Sequence, residues 1–254
     1  MSVSNLEIRN NGIEANPYYQ QRVDLAAVFR WTARMNMHEG VANHFSLAVS
    51  DDAAKFLVNP RGRHFSRIRA SELLLLDAND TTTMDQPNAP DPTAWCIHGA
   101  MHRKLPQARC LLHVHPKYAT ALASLEDSSM PPIDQNTARY HGRVAVDDGF
   151  AGMGLGDEAE RLTTTLGNKA VLLMGNHGVM VTATTVSQAF DELYYFERAC
   201  ETLITALSSG RKLRVMSDEI AELTAQQWQD YPDEDLHLNA IKAILDEEEP
   251  DYRT

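Results

Sequence analysis

The chain has 254 residues, 43% of them hydrophobic and 23% charged, enough for one large domain or two small ones around a substantial core. Its formal charge of -12, from 23 Lys and Arg against 35 Asp and Glu, argues against nucleic acid or an anionic membrane as a general partner. No apolar run reaches the roughly 18 residues of a membrane span, the three cysteines make no disulfide framework, and the first residues lack the basic start and apolar stretch of a signal peptide. A cytoplasmic location with reduced thiols follows by elimination.

Residues 1–16 read as a polar, loose N-terminus. Asn16-Pro17 reads as the cap and first residue of a helix that runs through Val23, Ala26, Ala27 and Trp31, fades near Met37 and stops by Gly40. Alternation at Phe45, Leu47 and Val49 predicts a strand, Asp51-Asp52 a turn, and residues 55–58 the returning strand. Asn59-Pro60-Arg61-Gly62 is a tight turn, because Pro presets one dihedral and Gly permits positive φ. Leu73 to Leu76 form a short buried strand or a helix end, and the polar stretch 77–91 a loop. Asp91-Pro92 opens a helix to Lys104. Cys110 to His115 is a strand ended by Pro116, and a helix from Tyr118 to Leu125 follows. Residues 126–157 are irregular apart from a strand around Val144-Ala145-Val146, and a helix runs from Asp157 to Leu166. Residues 169–174 and 179–181 pair as a hairpin around Gly175-Asn176-His177-Gly178, with glycines at both corners. Thr185-Val186-Ser187-Gln188 reads as a capping box that starts a long helix ending near Gly210. The pattern amounts to a mixed α/β domain over 17–210 and an acidic helical extension over 211–254.

The chemistry concentrates in His113-Val114-His115 and His177. Residues i and i+2 of a strand face the same side, about 7 Å apart at the Cα atoms, so two imidazoles can converge on one ion while Val114 turns into the core. A third imidazole arriving from a hairpin completes the three-ligand set that leaves a catalytic metal one open position for water or substrate. Three imidazoles accept several divalent ions, Zn2+, Mn2+ and Fe2+ among them. His98 and His102, spaced i, i+4, share a helix face. His98 reads either as a contact to substrate or ligand or as a surface residue, and His102 reads as a surface residue. Tyr140 reads as a proton donor or a half-buried anchor.

The ordered set Gly40-Val41-Ala42-Asn43-His44-Phe45-Ser46, Asn59-Pro60-Arg61-Gly62, Asp91-Pro92-Thr93-Ala94-Trp95 with His98, Leu112-His113-Val114-His115-Pro116 and Gly175-Asn176-His177-Gly178 resembles the class II aldolase/adducin superfamily over about residues 20–210. The resemblance implies a three-layer α/β/α domain around a mostly antiparallel central sheet. It implies a divalent metal, usually zinc, on His113, His115 and His177, and a homotetramer with sites at subunit interfaces. In the sugar-phosphate aldolases of that family a glutamate just before the tryptophan serves as acid/base. Here that position is Ala94, and a methyl carries no proton. The anion loops are altered as well: Arg61 and Pro92 replace small hydroxyl residues, Thr93 and Gly62 remain compatible, and the asparagine of the glycine-rich motif aligns with His44.

These departures point to a metal-dependent lyase that performs aldol cleavage or decarboxylation of a small hydroxy- or keto-acid through a metal-stabilised enolate. In that reading Arg61, Gly62 and Thr93 bind a carboxylate-bearing substrate, and His44, His98 or Tyr140 replaces the missing acid/base. The alternatives are a sugar-phosphate aldolase or epimerase and a non-catalytic, adducin-like oligomeric binding protein.

Overall fold

A computed structural model describes residues 16–152, 157–231 and 234–254. Residues 1–15 of the expected loose segment 1–16 lie outside the described residues. Seven strands form one sheet: β1 (His44–Ala48), β2 (Lys55–Val58), β3 (Leu74–Asp77), β4 (Cys110–Val114), β5 (Val144–Asp147), β6 (Val171–Met174) and β7 (Gly178–Ala183). Their order is β3-β2-β1-β4-β7-β6-β5. Every neighbouring pair is antiparallel except β5–β6, which is parallel. The helices are α1 (Tyr19–Arg34), α2 (Pro92–Lys104), α3 (Lys117–Ala123), α4 (Gln135–Arg139), α5 (Glu158–Leu166), α6 (Val186–Ser208), α7 (Asp218–Gln229) and α8 (Glu234–Glu248).

Strand alternation sorts side chains onto two faces. Phe45, Leu47, Leu112, Val114, Leu173, Val179 and Val181 join a large cluster with residues of α1, α3, α6 and α8. On the opposite face Leu111, Leu172 and Met180 pack with Ile97 and Met101 of α2 and with Leu162 and Leu166 of α5. Helix layers on both faces of a mostly antiparallel sheet make this an α/β/α sandwich. Residues beyond 210 share the large cluster, to which Leu238, Ile241, Leu245 and Tyr252 belong. None of the helices among the described residues is long and apolar enough to cross a membrane.

Several elements differ from the sequence expectation for local reasons. The first helix starts two residues later than Pro17, after Tyr18 in a left-handed conformation (φ 65°), and it ends at Arg34. Helix α4 lies inside a stretch read as irregular; its signal was the capping box of Asp134 and Thr137. Residues 74–77 settle as a half-exposed edge strand. Only half of the expected capping box forms at α6. Thr185 Oγ1 accepts from the Gln188 N–H at 3.1 Å, whereas Gln188 Oε1 accepts from Thr184 rather than from Thr185.

The C-terminus is tied to α1 by charge. Arg30 is 2% exposed. Its Nε donates to the Ile68 carbonyl at 2.9 Å, and its other nitrogens reach Glu249 at 2.8 Å and Asp251 at 3.1 Å. Arg34 adds contacts to Glu248 and Glu249. Arg30→Ala removes the buried member of a half-exposed ion cluster and should lower unfolding stability by about 2 kcal/mol, read from urea denaturation; a loss under about 1 kcal/mol would rule out a structural role for this tie.

Candidate metal centre and active site

β4 delivers two imidazoles to one end of the sheet. His113 shares the α2 face with Leu111, and His115 follows the last strand residue. The turn between β6 and β7 brings His177. One nitrogen from each of the three residues lies within 4.8 Å of the others, and the Nε2 atoms of His113 and His115 are 3.1 Å apart. Two nitrogens bound to one tetrahedral ion at about 2.0–2.1 Å sit roughly 3.4 Å from each other, close to that separation.

The hydrogen bonds behind the rings fix their tautomers. His113 Nδ1 faces the Val179 carbonyl at 3.0 Å, and a carbonyl can only accept, so the hydrogen sits on Nδ1. His115 Nδ1 faces the Glu39 carboxylate in the same way. When both rings are neutral, the two Nε2 atoms present lone pairs to each other, an arrangement that is repulsive unless a cation, a metal ion or a proton, lies between them. His177 Nδ1 is buried without a partner. Burial, reinforced by neighbouring imidazoles, holds His113 well below the usual imidazole pKa and His177 near 4. Neutral imidazole is the ligand form, and the cluster fits a divalent metal.

Glycine makes the convergence possible. A Cβ on Gly178 would stand 2.5 Å from His115 Cδ2 and 2.7 Å from the Val114 carbonyl, and one on Gly175 would stand 2.9 Å from the Asp147 carbonyl. The residue with positive φ in the turn is Asn176, at 56°. The corner glycines thus serve close approach rather than turn conformation.

The imidazoles open onto a cavity of about 490 Å³. His44 and Thr93 line it beside the cluster, Pro92, Ile97 and Phe150 form an apolar wall, and Arg61 and Asp91 lie at its edge. The Arg61 side chain is 67% exposed and its Nε is 3.8 Å from Asp91 Oδ2. Thr93 donates to Asp91 Oδ1 from its hydroxyl at 2.6 Å and from its backbone N–H at 2.9 Å.

Behind the cavity, His44 on β1 stands opposite His113 in the strand register. His44 Nδ1 and His98 Nε2 are 2.7 Å apart. His98 Nδ1 contacts Ser46 Oγ, which lies 2.7 Å from His102 Nε2. His102 is 2% exposed and closes the series on the Ala108 carbonyl, so it is not a surface residue. Burial holds His44 and His102 near pKa 4 and pushes His98 well below its usual value.

The family model described as class II aldolase and adducin N-terminal domain matches residues 23–204. The chain belongs to this family. A solved aldolase II superfamily protein from Pseudomonas syringae is 30% identical, with a TM-score of 0.86, and the match covers 98% of this chain and 100% of that one. A decarboxylase, NovR of Streptomyces niveus, is 27% identical over 80% of this chain and 75% of its own length. A 4-hydroxy-3-prenylphenylpyruvate oxygenase/4-hydroxy-3-prenylbenzoate synthase of Streptomyces roseochromogenus subsp. oscitans is 28% identical over 80% of this chain and 73% of its own.

Within this class II aldolase/adducin domain, Ala94 packs beside Ala48, Phe56 and Val58 and does not line the cavity. Two of the sequence candidates lie apart from the site. Tyr140 is 2% exposed in the large cluster on the opposite face, its hydroxyl donating to the Glu192 carbonyl at 2.7 Å. Gly62, with φ 74°, turns the loop that carries Arg61 but does not line the cavity. Two residues that touch the candidate residues were not singled out from sequence. Ser46 lies two residues after His44 on the same strand face, a legible spacing, whereas Glu39 sits in a connecting segment with no periodic signal.

Unfolded imidazoles bind a proton near pH 6.5, while His44 and His102 resist it until about 4. Between those values the unfolded chain binds more protons than the folded one, so stability falls as pH falls. Urea midpoints measured from pH 7.5 to 4.5 should decline below about 6.5. A flat profile across that interval would contradict a set of buried neutral histidines.

Proposed function

We propose that the protein is a divalent-metal-dependent lyase acting on a small hydroxy- or keto-acid, by decarboxylation or aldol cleavage. The observation that carries this reading is the convergence of His113, His115 and His177, with the Nε2 atoms of the first two 3.1 Å apart, at the edge of a cavity that also bears an exposed guanidinium. His113, His115 and His177 would hold a divalent ion, zinc by the family resemblance with manganese or iron as alternatives, and such an ion would supply Lewis-acid stabilisation of negative charge on a substrate oxygen.

The chain's own groups do the rest. Arg61 holds the substrate carboxylate through its planar pair of N–H donors. Thr93 and Asp91 fix the position of that edge. Pro92, Ile97 and Phe150 shield one side of the reacting carbon from water. His44 Nε2 lies in the cavity lining 3.2 Å from Thr93 Oγ1 and accepts the proton that Ala94 has no group to take. The names of the two Streptomyces relatives support the acid class: one is a decarboxylase and the other acts on a substituted phenylpyruvate. The free thiols of Cys96, Cys110 and Cys200 favour a cytoplasmic setting, and a homotetramer is the assembly we expect.

Metal analysis of the purified protein should find one divalent ion per chain, and a screen of hydroxy- and keto-acids against phosphorylated sugars should give turnover only with the acids. Turnover confined to the phosphorylated sugars would favour a sugar-phosphate aldolase. Glu39→Ala should weaken zinc binding about 10- to 100-fold in chelator competition; an unchanged affinity would remove Glu39 from the metal's support. With an acid substrate in hand, Arg61→Ala should raise KM by roughly tenfold or more. A KM that stays put would place the carboxylate elsewhere.

A further inference from the structure

His44, Ser46, His98 and His102 are each at most 2% exposed, and none is a ligand in the imidazole cluster. Their contacts form a single file: Ala108 carbonyl to His102 Nδ1 at 2.7 Å, His102 Nε2 to Ser46 Oγ at 2.7 Å, Ser46 Oγ to His98 Nδ1, His98 Nε2 to His44 Nδ1 at 2.7 Å. The file starts on a group that cannot donate, and that determines its direction. His102 must carry its hydrogen on Nδ1. A neutral His102 then accepts at Nε2, so the single Ser46 hydrogen points to it. The Ser46 oxygen is left to accept from His98 Nδ1–H. His98 accepts at Nε2, so His44 carries its hydrogen on Nδ1. The last open valence is the lone pair on His44 Nε2, at the cavity wall. Thr93 Oγ1 is 3.2 Å from it, but the Thr93 hydroxyl hydrogen is already directed at the Asp91 carboxylate, 2.6 Å away.

We infer that His98, Ser46 and His102 are positioning residues that lock the tautomer of His44, so that a lone pair fixed in direction by the Ala108 carbonyl faces the substrate. The catalytic use of that lone pair rests on the lyase reading above; the lock itself does not. A charge anywhere along the file would be buried and poorly solvated, which keeps all three imidazoles neutral and the polarity single-valued. The family's asparagine position is thereby occupied by a ring whose state is set from about four hydrogen bonds away.

Long-range 1H–15N correlation spectra of histidine-labelled protein at neutral pH test the lock directly. The expected result is a hydrogen on Nδ1 and a bare Nε2 for His44, His98 and His102. Ser46→Ala should leave His102 unchanged while His44 and His98 become tautomer mixtures. With an acid substrate the same variant should lose roughly tenfold or more in kcat at nearly unchanged KM, and Ser46→Cys, which restores a weak donor and acceptor, should recover part of it. A hydrogen on Nε2 of His44 or His98 in the unmutated protein overturns the inference without any variant having to fold. A Ser46→Ala spectrum with His44 unmoved overturns it as well. Failure of the lyase reading looks different: no acid is turned over by the unmutated protein, while these spectra stand as expected.

Discussion

The site depends on how closely β7 approaches β4 at Gly178. A single added methyl there would meet both the backbone of Val114 and the ring of His115. With that methyl missing, the hairpin turn can bring His177 beside a pair of imidazoles it would otherwise stand clear of. The antiparallel register does the rest, setting His113 against Met180 on one side and His44 on the other. Backbone pairing thus supplies both the positions of the rings and, through the Val179 carbonyl, the orientation of one of them. The cluster is preorganised by groups that are themselves locked in the sheet.

The α2 face of the sheet solves a second problem. Burying imidazoles without partners would be expensive. This face places His98 and His102 on α2 opposite His44 and Ser46 on β1, so each donor meets an acceptor. The neighbouring apolar groups, Ile97 and Met101 with α5 and Ala94 with β2, then close over a polar seam that is satisfied along its length up to His44 Nε2 at the cavity. Such a seam is directional, because its last acceptor is a carbonyl. An equivalent apolar layer could hold the helix in place but could not pass an orientation to the cavity.

Much of this was legible in the sequence where the signal is local. The strand spacing of His113 and His115, the cap at Asp91-Pro92 and the glycines around His177 each describe a few consecutive residues, and the elements they mark are present. What local pattern could not supply is which faces meet. His102 looked like a surface residue because its helical spacing with His98 is equally compatible with either side of α2; β1 decides it. Tyr140 reads from the sequence as a proton donor or a half-buried anchor, and α6 decides for the anchor by accepting its hydroxyl hydrogen at the Glu192 carbonyl. The sequence reads Gly62 both as the positive-φ corner of a tight turn and as a substrate contact; the turn is present, and Gly62 shapes the loop that presents Arg61 without lining the cavity. Glu39 carries no periodicity at all, and its role exists only once the chain has folded back on β4.

Charge explains how the departures from the phosphate-aldolase pattern fit together. The chain is acidic overall, which does nothing to attract an anion at long range, but exposed charges are screened beyond about 8–10 Å at physiological salt. What a bound substrate feels is therefore the local set. The imidazole cluster adds no negative charge, Ala94 leaves out a carboxylate, and Arg61 adds an exposed guanidinium that its 3.8 Å contact with Asp91 only partly neutralises. Each of these moves the cavity toward accepting a carboxylate. The apolar wall of Pro92, Ile97 and Phe150 moves it away from a polyhydroxylated ligand, since such a wall would strand hydroxyl groups without partners. On the lyase reading proposed above, the same substitutions that alter the phosphate cradle are mutually consistent: a ligand anionic at one end and apolar along its side, with a ring rather than a carboxylate to accept a proton.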